Sequence, residues 1–387
     1  MPLPPPARRT HAIAPFHVMD ILARARALEA AGRSIVHMEI GEPDFPTAAP
    51  IVEAGRAALA AGHTHYTPAV GLPQLRAAIA GFYRERHGVE VSPERVIVTP
   101  GASGALLLAL AALLEAGDEV LLSDPGYPCN RHLAHILGAC AVGIPVGADS
   151  GYRLSAEKVE AHWSPRTRAV LVASPANPTG TVLKLNELFA LHAVATRRGG
   201  TLIVDEIYHG LTYGCEAPTA LAVSDEVFVV NSFSKYFGMT GWRVGWLVAP
   251  PAYVETLDRL AQNLFLAAPT VAQHAALAAF RPDTLALLEA RRAEFQRRRD
   301  FLVPALRRLG FEVSATPQGA FYVYAGCRRF GQDSLALAHE LLEKAGVAVT
   351  PGIDFGSHEA DVHLRFAYTT ALEHLKEGVA RLARHLG

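Results

Sequence analysis

The chain has 387 residues, 50% of them hydrophobic, and a formal net charge of −1. That length allows two domains, or one large domain with a smaller appendage, and the balanced charge argues against nucleic acid or an anionic membrane as a partner. The longest run of like charge, Arg297-Arg298-Arg299, reads as a solvated helix face. Four cysteines, Cys129, Cys140, Cys215 and Cys327, lack C-x-x-C spacing and read as reduced thiols of a cytoplasmic protein. The Pro-rich start, Met1 to Arg9, has no apolar signal core and is expected to be flexible. No stretch approaches the roughly 18 apolar residues of a membrane span.

In chain order, helical spacing of apolar residues runs from Met19 to Ala31 and stops at Gly32. An extended run, Ile35 to Ile40, leads into the rigid turn Gly41-Glu42-Pro43-Asp44-Phe45-Pro46. Tyr66 precedes a Pro/Gly turn, and a helix is expected over Leu72 to His87. The β-branched strand Val96 to Thr99 meets the turn Pro100-Gly101-Ala102-Ser103-Gly104 and then an apolar helix, Ala105 to Leu114. At a helix N-terminus such a turn offers free N–H groups, here those of Ala102 and Ser103, to a phosphate, although many such turns only cap their helix. It is neither a P-loop nor G-x-G-x-x-G, and Ser103 misses the G-x-S-x-G register by one residue, which argues against a serine hydrolase.

Strand Glu119 to Ser123 leaves Tyr127 on the loop beyond it, where the ring can stack on a flat ligand or pack against protein. Cys129, His132 and His135 recur every three residues on an expected helix but lack a fourth ligand, so no metal is expected. Strand Arg168 to Ala173 ends in Ser174-Pro175-Ala176-Asn177-Pro178-Thr179-Gly180, where Asn177 either shapes the turn or donates its amide to an oxygen on a bound ring. After helix Asn186 to Arg198, strand Thr201 to Asp205 closes on a carboxylate that needs a partner, either a protein cation or a protonated pyridine nitrogen. Tyr208, three residues on, is placed to reach the same ring.

Asp225 to Val230 and Val244 to Val248 read as buried strands flanking a loop that carries Ser232, Ser234, Lys235 and Arg243. Desolvation or a neighbouring cation such as Arg243 lowers a lysine pKa from about 10.4, and the amine then forms Schiff bases with aldehydes such as pyridoxal phosphate. The competing reading is a solvated lysine beside a structural arginine. Arg243 with the hydroxyls of Ser232 and Ser234 is equally suited to a phosphate. Helices follow from Tyr253 to Phe280, broken at Pro269, and from Thr284 to Leu309. Ala320 to Tyr324, Ser334 to Lys344, Val347 to Thr350 and His363 to Ala367 read as a small α+β unit, with Pro351 to Gly356 a mobile loop able to close over a ligand. Arg365 alternates with apolar residues and needs a bidentate anion, from the protein or from a substrate.

Strands alternating with helices from Val96 to Val248 imply an α/β fold, a mostly parallel sheet with helices on both faces and a ligand crevice at the strands' carboxyl ends. Gly101, Tyr127, Asn177 and Asp205 all fall there. The strings S-x-S-K-x-F-x-M-x-G-x-R-x-G around Lys235, Asn177-Pro178-Thr179-Gly180, Gly41-Glu42-Pro43-Asp44-Phe45 and Leu364-Arg365-Phe366-Ala367-Tyr368 resemble the class I/II aminotransferases, fold-type I pyridoxal phosphate enzymes. The likeness is strongest to the subgroup that begins G-E-P-D-F. Ser174-Pro175-Ala176 departs mildly from the family's longer Asn/Pro run.

The resemblance implies that Lys235 holds pyridoxal 5′-phosphate and moves protons, while Ala102, Ser103, Ser232, Ser234 and Arg243 bind its phosphate. It implies that Tyr127 stacks on the ring, Asn177 and Tyr208 take the ring oxygen, Asp205 the ring nitrogen, and that Gly41, Tyr127, Asn177 and Arg365 bind substrate. Tyr66 would reach the phosphate of a neighbouring subunit, giving a homodimer with shared sites. Residues 1–47 would form an arm and part of a small domain, 48–283 the large cofactor domain, and 284–387 the rest of the small one. The expected reaction is ping-pong amino transfer from an amino acid to a 2-oxo acid, with β-elimination by a carbon–sulfur lyase as the alternative on the same fold. A ligand-sensing regulator is not expected, since the 40 residues before Gly41 leave no room for a DNA-binding module.

Overall fold

The computed structural model describes residues 3–387. Met1 and Pro2, the start of the segment expected to be flexible, lie outside the described residues, and from Leu3 an exposed stretch leads to a 3-10 turn at Arg8–Ala12. The chain then forms α1 (His17–Ala30), β1 (Val36–His37), α2 (Ala49–Ala60) and α3 (Pro73–His87). Next come β2 (Val96–Thr99), α4 (Gly101–Leu113), β3 (Glu119–Asp124), α5 (Pro128–Ile136), β4 (Cys140–Pro145) and α6 (Ala156–His162). They are followed by β5 (Thr167–Ala173), α7 (Leu185–Arg197), β6 (Thr201–Asp205), β7 (Phe228–Ser232) and β8 (Gly245–Val248).

These strands build a 7-stranded sheet in the order β2-β8-β7-β6-β5-β3-β4. Only β8 runs against the rest, pairing antiparallel with both β2 and β7. The carboxyl ends of β2, β3, β5, β6 and β7 therefore share one edge. The inner strands are buried on both faces, as their continuous Val/Ile/Leu runs require when helices cover each side. Helix α4 begins at Gly101 rather than Ala105, so the glycine-rich turn is itself the first helical turn.

Beyond the sheet lie α8 (Val254–Leu264), α9 (Thr270–Leu277) and the long α10 (Pro282–Leu309), which opens on a proline and closes at Gly310 with φ 101°. The last part adds β9 (Tyr322–Gly326), α11 (Ser334–Glu340), β10 (Val347–Ala348), β11 (Thr350–Pro351), β12 (His363–Ala367) and α12 (Leu372–Leu386). The expected strand Val347 to Thr350 is split between two sheets: β10 pairs with β1, and β11 joins β12 and β9. Among the described residues no helix is long and apolar enough to cross a membrane.

Two expectations are corrected by burial. Pro351 to Gly356 is no free loop: it forms a 3-10 turn in which Asp354 is 4% exposed and accepts from the backbone N–H groups of His17 and Val18, each at 2.9 Å. That carboxylate caps α1, whose own sequence supplies no capping side chain. Nor is the arginine trio one solvated face. Arg298 is 3% exposed, forks onto Asp44 at 2.9 and 3.1 Å, and donates to the Thr369 carbonyl at 2.8 Å. Helical spacing turns Arg297 outward and its neighbour into the core. Removing one partner of a buried ion pair strands the other, so Arg298→Ala should lower unfolding stability by about 2–4 kcal/mol in urea titrations, while Arg297→Ala stays within about 0.5 kcal/mol.

Candidate active site

The shared edge of the sheet opens on a cavity of about 230 Å³ that gathers Gly41, Ala102, Ser103, Tyr127, Asn177, Asp205, Tyr208, Ser234, Lys235, Arg243 and Arg365. Residues far apart in sequence meet there because β2, β3, β5, β6 and β7 each hand the chain to a loop at that edge.

Lys235 follows β7, and its Nζ donates to the Gly41 carbonyl at 2.8 Å. Burial is the main cause that lowers its pKa to about 8; Arg365 and Arg243 push the same way, against Glu42 and Asp205. Neighbouring Arg243 is thus a minor cause beside desolvation. Asp205, the last residue of β6, is 4% exposed and accepts one backbone N–H, from Ile207 at 3.1 Å. Burial raises its pKa to about 6, against the pull of that N–H and of Lys235. The next residue, Glu206, points the other way: Thr219 and the Ala220 N–H satisfy it, and burial lifts it to about 8.

Arg243 adopts a left-handed φ of 53° and lays its guanidinium beside the glycine-rich turn. Gly101 has φ 71°, and a Cβ there would overlap Arg243 Nη2. A Cβ on Gly245 would come within 2.8 Å of the Gly101 carbonyl carbon and 2.9 Å of the Ala102 nitrogen. Glycine at both positions lets β8, the turn and Arg243 converge at the N-terminus of α4. Ser234 lines this corner. Ser232 does not: it is 1% exposed, and its hydroxyl is held by Ser234 Oγ at 2.9 Å and the Val244 carbonyl at 3.1 Å. Ser232 pairs with Gly245, the residue packed against the Gly101–Ala102 turn, and its hydroxyl is engaged within the loop.

Arg365, on β12, is 3% exposed and has no carboxylate partner among the described residues. It donates to Asn177 Oδ1 at 3.0 Å, to the Glu39 carbonyl at 2.6 Å and to Thr350 Oγ1 at 3.1 Å, and its Nε is buried without a partner. A buried guanidinium with a vacant N–H is built to receive an anion. Asn177 is 5% exposed with its Oδ1 turned to Arg365, which leaves its NH2 for a ligand. Tyr127 borders both this cavity and a second one of about 430 Å³. Tyr66 is 81% exposed and lies outside the cavity. Cys129, His132 and His135 share α5, and the described residues contain no group of three or more metal-ligating side chains.

The sequence reading missed Tyr322 and an apolar wall. Tyr322 meets the Tyr208 hydroxyl at 3.0 Å and lies under the Arg365 guanidinium at 4.1 Å. Its hydroxyl occupies the space a Cβ on Gly41 would need. The signal was the alternation Tyr322-Val323-Tyr324, readable only once β9 is registered on β12. Phe16, Val18, Met19 and Ile40 form the wall, and a helix start carries no mark for that role.

The sequence matches the family profile described as aminotransferase class I and II over residues 33–382. It is 39% identical over 376 residues to a valine–pyruvate aminotransferase of Mycobacterium tuberculosis, covering 97% of either chain. It is 37% identical to an arginine–pyruvate transaminase of Pseudomonas aeruginosa, over 94% of this chain and 93% of that one. The fold matches the aspartate aminotransferase of Thermus thermophilus solved with maleate at a TM-score of 0.93 and 36% identity, covering 99% of this chain and 100% of that one. These relatives are named for amino transfer, and nothing in them favours elimination. The chain therefore belongs to the class I and II aminotransferases and is a fold-type I, pyridoxal phosphate-dependent transaminase.

Proposed function

We propose that the cavity around Lys235 is where this transaminase moves an amino group from an L-amino acid to a 2-oxo acid, with the residue roles that follow. The observation that carries the assignment is buried charge that only neutral groups hold: Asp205, with one backbone N–H, and Arg365, with three neutral acceptors and an unpartnered Nε, line the cavity with an amine whose pKa is near 8. The residues fit pyridoxal phosphate. Asp205 suits a protonated ring nitrogen, Tyr127 a ring face, Asn177 and Tyr208 the ring oxygen. Arg243, Ser234 and the N–H groups of Ala102 and Ser103 suit the phosphate.

When bound, the cofactor supplies an aldehyde for the lysine and a ring that accepts the electron pair released at the amino acid's Cα. Arg365 clamps the substrate carboxylate, helped by the Asn177 amide and the Gly41 backbone, and so orients the Cα–H bond. Lys235 Nζ, when free, would take the Cα proton and deliver it to the carbon that came from the cofactor's aldehyde; a pKa near 8 suits both duties at neutral pH. A second substrate of the 2-oxo acid class completes a ping-pong cycle through the same groups.

We further propose a cytoplasmic homodimer in which Tyr66 serves the neighbouring site, supported by its exposure outside its own cavity and by exposed Leu264 and Leu266. The four free cysteines support a reducing compartment. Residues 48–283 are taken as the cofactor domain, with 1–47 and 284–387 as arm and small domain, a division supported by the pairing of β1 with β10.

Lys235→Ala should abolish both the visible absorbance of reconstituted protein and transamination; turnover in that variant would end the assignment. Arg365→Lys should keep the absorbance but raise KM for amino and 2-oxo substrates about 10- to 100-fold, the loss expected when a bidentate clamp becomes a point charge. Lys235 also marks a pH signature of the cofactor-free protein. Its folded pKa of about 8 lies below the unbound value of 10.5, so the unfolded chain holds the extra proton between them and stability rises with pH across that window. Below pH 8 the deficit is full, and Lys235→Met should stabilise the cofactor-free protein at pH 7 by about 2 kcal/mol in thermal or urea unfolding.

A further inference from the structure

Tyr208 carries one O–H, and in the role proposed for it that proton goes to the cofactor's ring oxygen, an anionic oxygen that can only accept. A second phenol competes for the same proton. Tyr322 Oη lies 3.0 Å from Tyr208 Oη, and no other hydrogen-bond partner of either hydroxyl stands among the described residues. Such a pair makes one hydrogen bond from one of its two protons, so the direction of that bond decides what Tyr208 can offer a ligand. With Tyr322 as donor, the Tyr208 proton is free for the ring oxygen. With Tyr208 as donor, it is spent within the protein.

The surroundings favour Tyr322 as the donor. Its ring centroid lies 4.1 Å from the Arg365 guanidinium carbon, and a cation over the face draws electron density from a phenol and strengthens its O–H. Its hydroxyl is pinned, because the Gly41 backbone closes on it where a Cβ would collide. The Tyr208 ring is held edge-on between Phe321 and Tyr322, at centroid distances of 5.4 and 5.8 Å. Burial is the leading cause that raises the pKa of both phenols, so both keep their protons. Tyr322 stands on β9, in the sheet that also carries Arg365, whereas Tyr208 follows β6 of the seven-stranded sheet. The contact therefore joins the two sheets. Both phenols are buried within this chain, and the pair is complete without a neighbouring subunit.

We propose that Tyr322 is a positioning residue whose hydroxyl donates to Tyr208 and so directs the Tyr208 proton to the cofactor's ring oxygen. This rests on the reading of Tyr208 as a group that takes that oxygen. A hydroxyl that receives a hydrogen bond is itself a stronger donor, so the charge on the ring oxygen is better held with Tyr322 in place.

Titrating the visible absorbance of the cofactor-loaded protein against pH tests this, because a hydrogen bond to the ring oxygen favours the unprotonated chromophore and lowers its pKa. Tyr208→Phe should raise that pKa by about 1 or more. Tyr322→Phe should raise it by roughly 0.3–0.7, the smaller effect expected when only a neighbour's bond is weakened. In a Tyr208→Phe background, Tyr322→Phe should add less than about 0.1, since the group it acts through is gone. Both variants keep their rings and packing, and urea unfolding checks that they fold. An unchanged pKa in Tyr322→Phe, or an equal rise in both backgrounds, would overturn the proposal and leave Tyr208 at the ring oxygen. An unchanged pKa in Tyr208→Phe would remove that reading, and the role of Tyr322 with it.

Discussion

The site is organised by charge that the fold buries and leaves unneutralised. Asp205 carries one backbone N–H on its carboxylate, and Arg365 has three neutral acceptors and a vacant Nε. Such groups cost stability until a ligand of complementary charge arrives. Glu206 shows the alternative within the same strand end. It is equally buried, but Thr219 and the Ala220 N–H complete it and burial lifts its pKa to about 8, so at neutral pH it is largely an uncharged anchor. Adjacent acids thus divide into one completed by the protein and one that lines the cavity with a single backbone N–H, and the period of the strand decides which is which.

Placement of the waiting groups follows from sheet topology. With β8 alone reversed, five strands deliver their ends to one edge, and the glycines Gly101 and Gly245 let the turn, the antiparallel strand and Arg243 close to contact distance. A rigid, dry support of this kind keeps Lys235 desolvated, which is the leading cause of its lowered pKa.

What the sequence disclosed tracks how local the cause is. Strand ends, glycine turns and the hydroxyl-flanked lysine are written within a few residues, so β6 and β12 and the gathering of Asp205, Asn177, Lys235 and Arg365 could be anticipated. The present partners of Ser232, Ser234 and the Val244 carbonyl, were not legible because only packing decides which neighbour takes a hydroxyl. Arg298 and Asp354 failed for a related reason: their partners, Asp44 and the start of α1, lie hundreds of residues away. Tyr322 and the Phe16–Met19 wall were invisible because aromatic and aliphatic residues carry no mark distinguishing a cavity lining from a core.

One short segment links the chemistry to its two supports. Arg365 donates to the carbonyl of Glu39, and Lys235 to the carbonyl of Gly41, two residues on. Both cations therefore rest on backbone oxygens of a single stretch that precedes the Asp44–Arg298 ion pair. A neutral carbonyl holds a cation in position yet is a weaker acceptor than a carboxylate. In the roles proposed for them, Arg365 would add a substrate carboxylate without losing its orientation, and Lys235 would leave Gly41 for covalent work and return to it. The vacant Nε of Arg365 and the tight fit of Gly41 against Tyr322 make the same point from opposite sides: the segment is fixed so that only the charges on it need exchange partners.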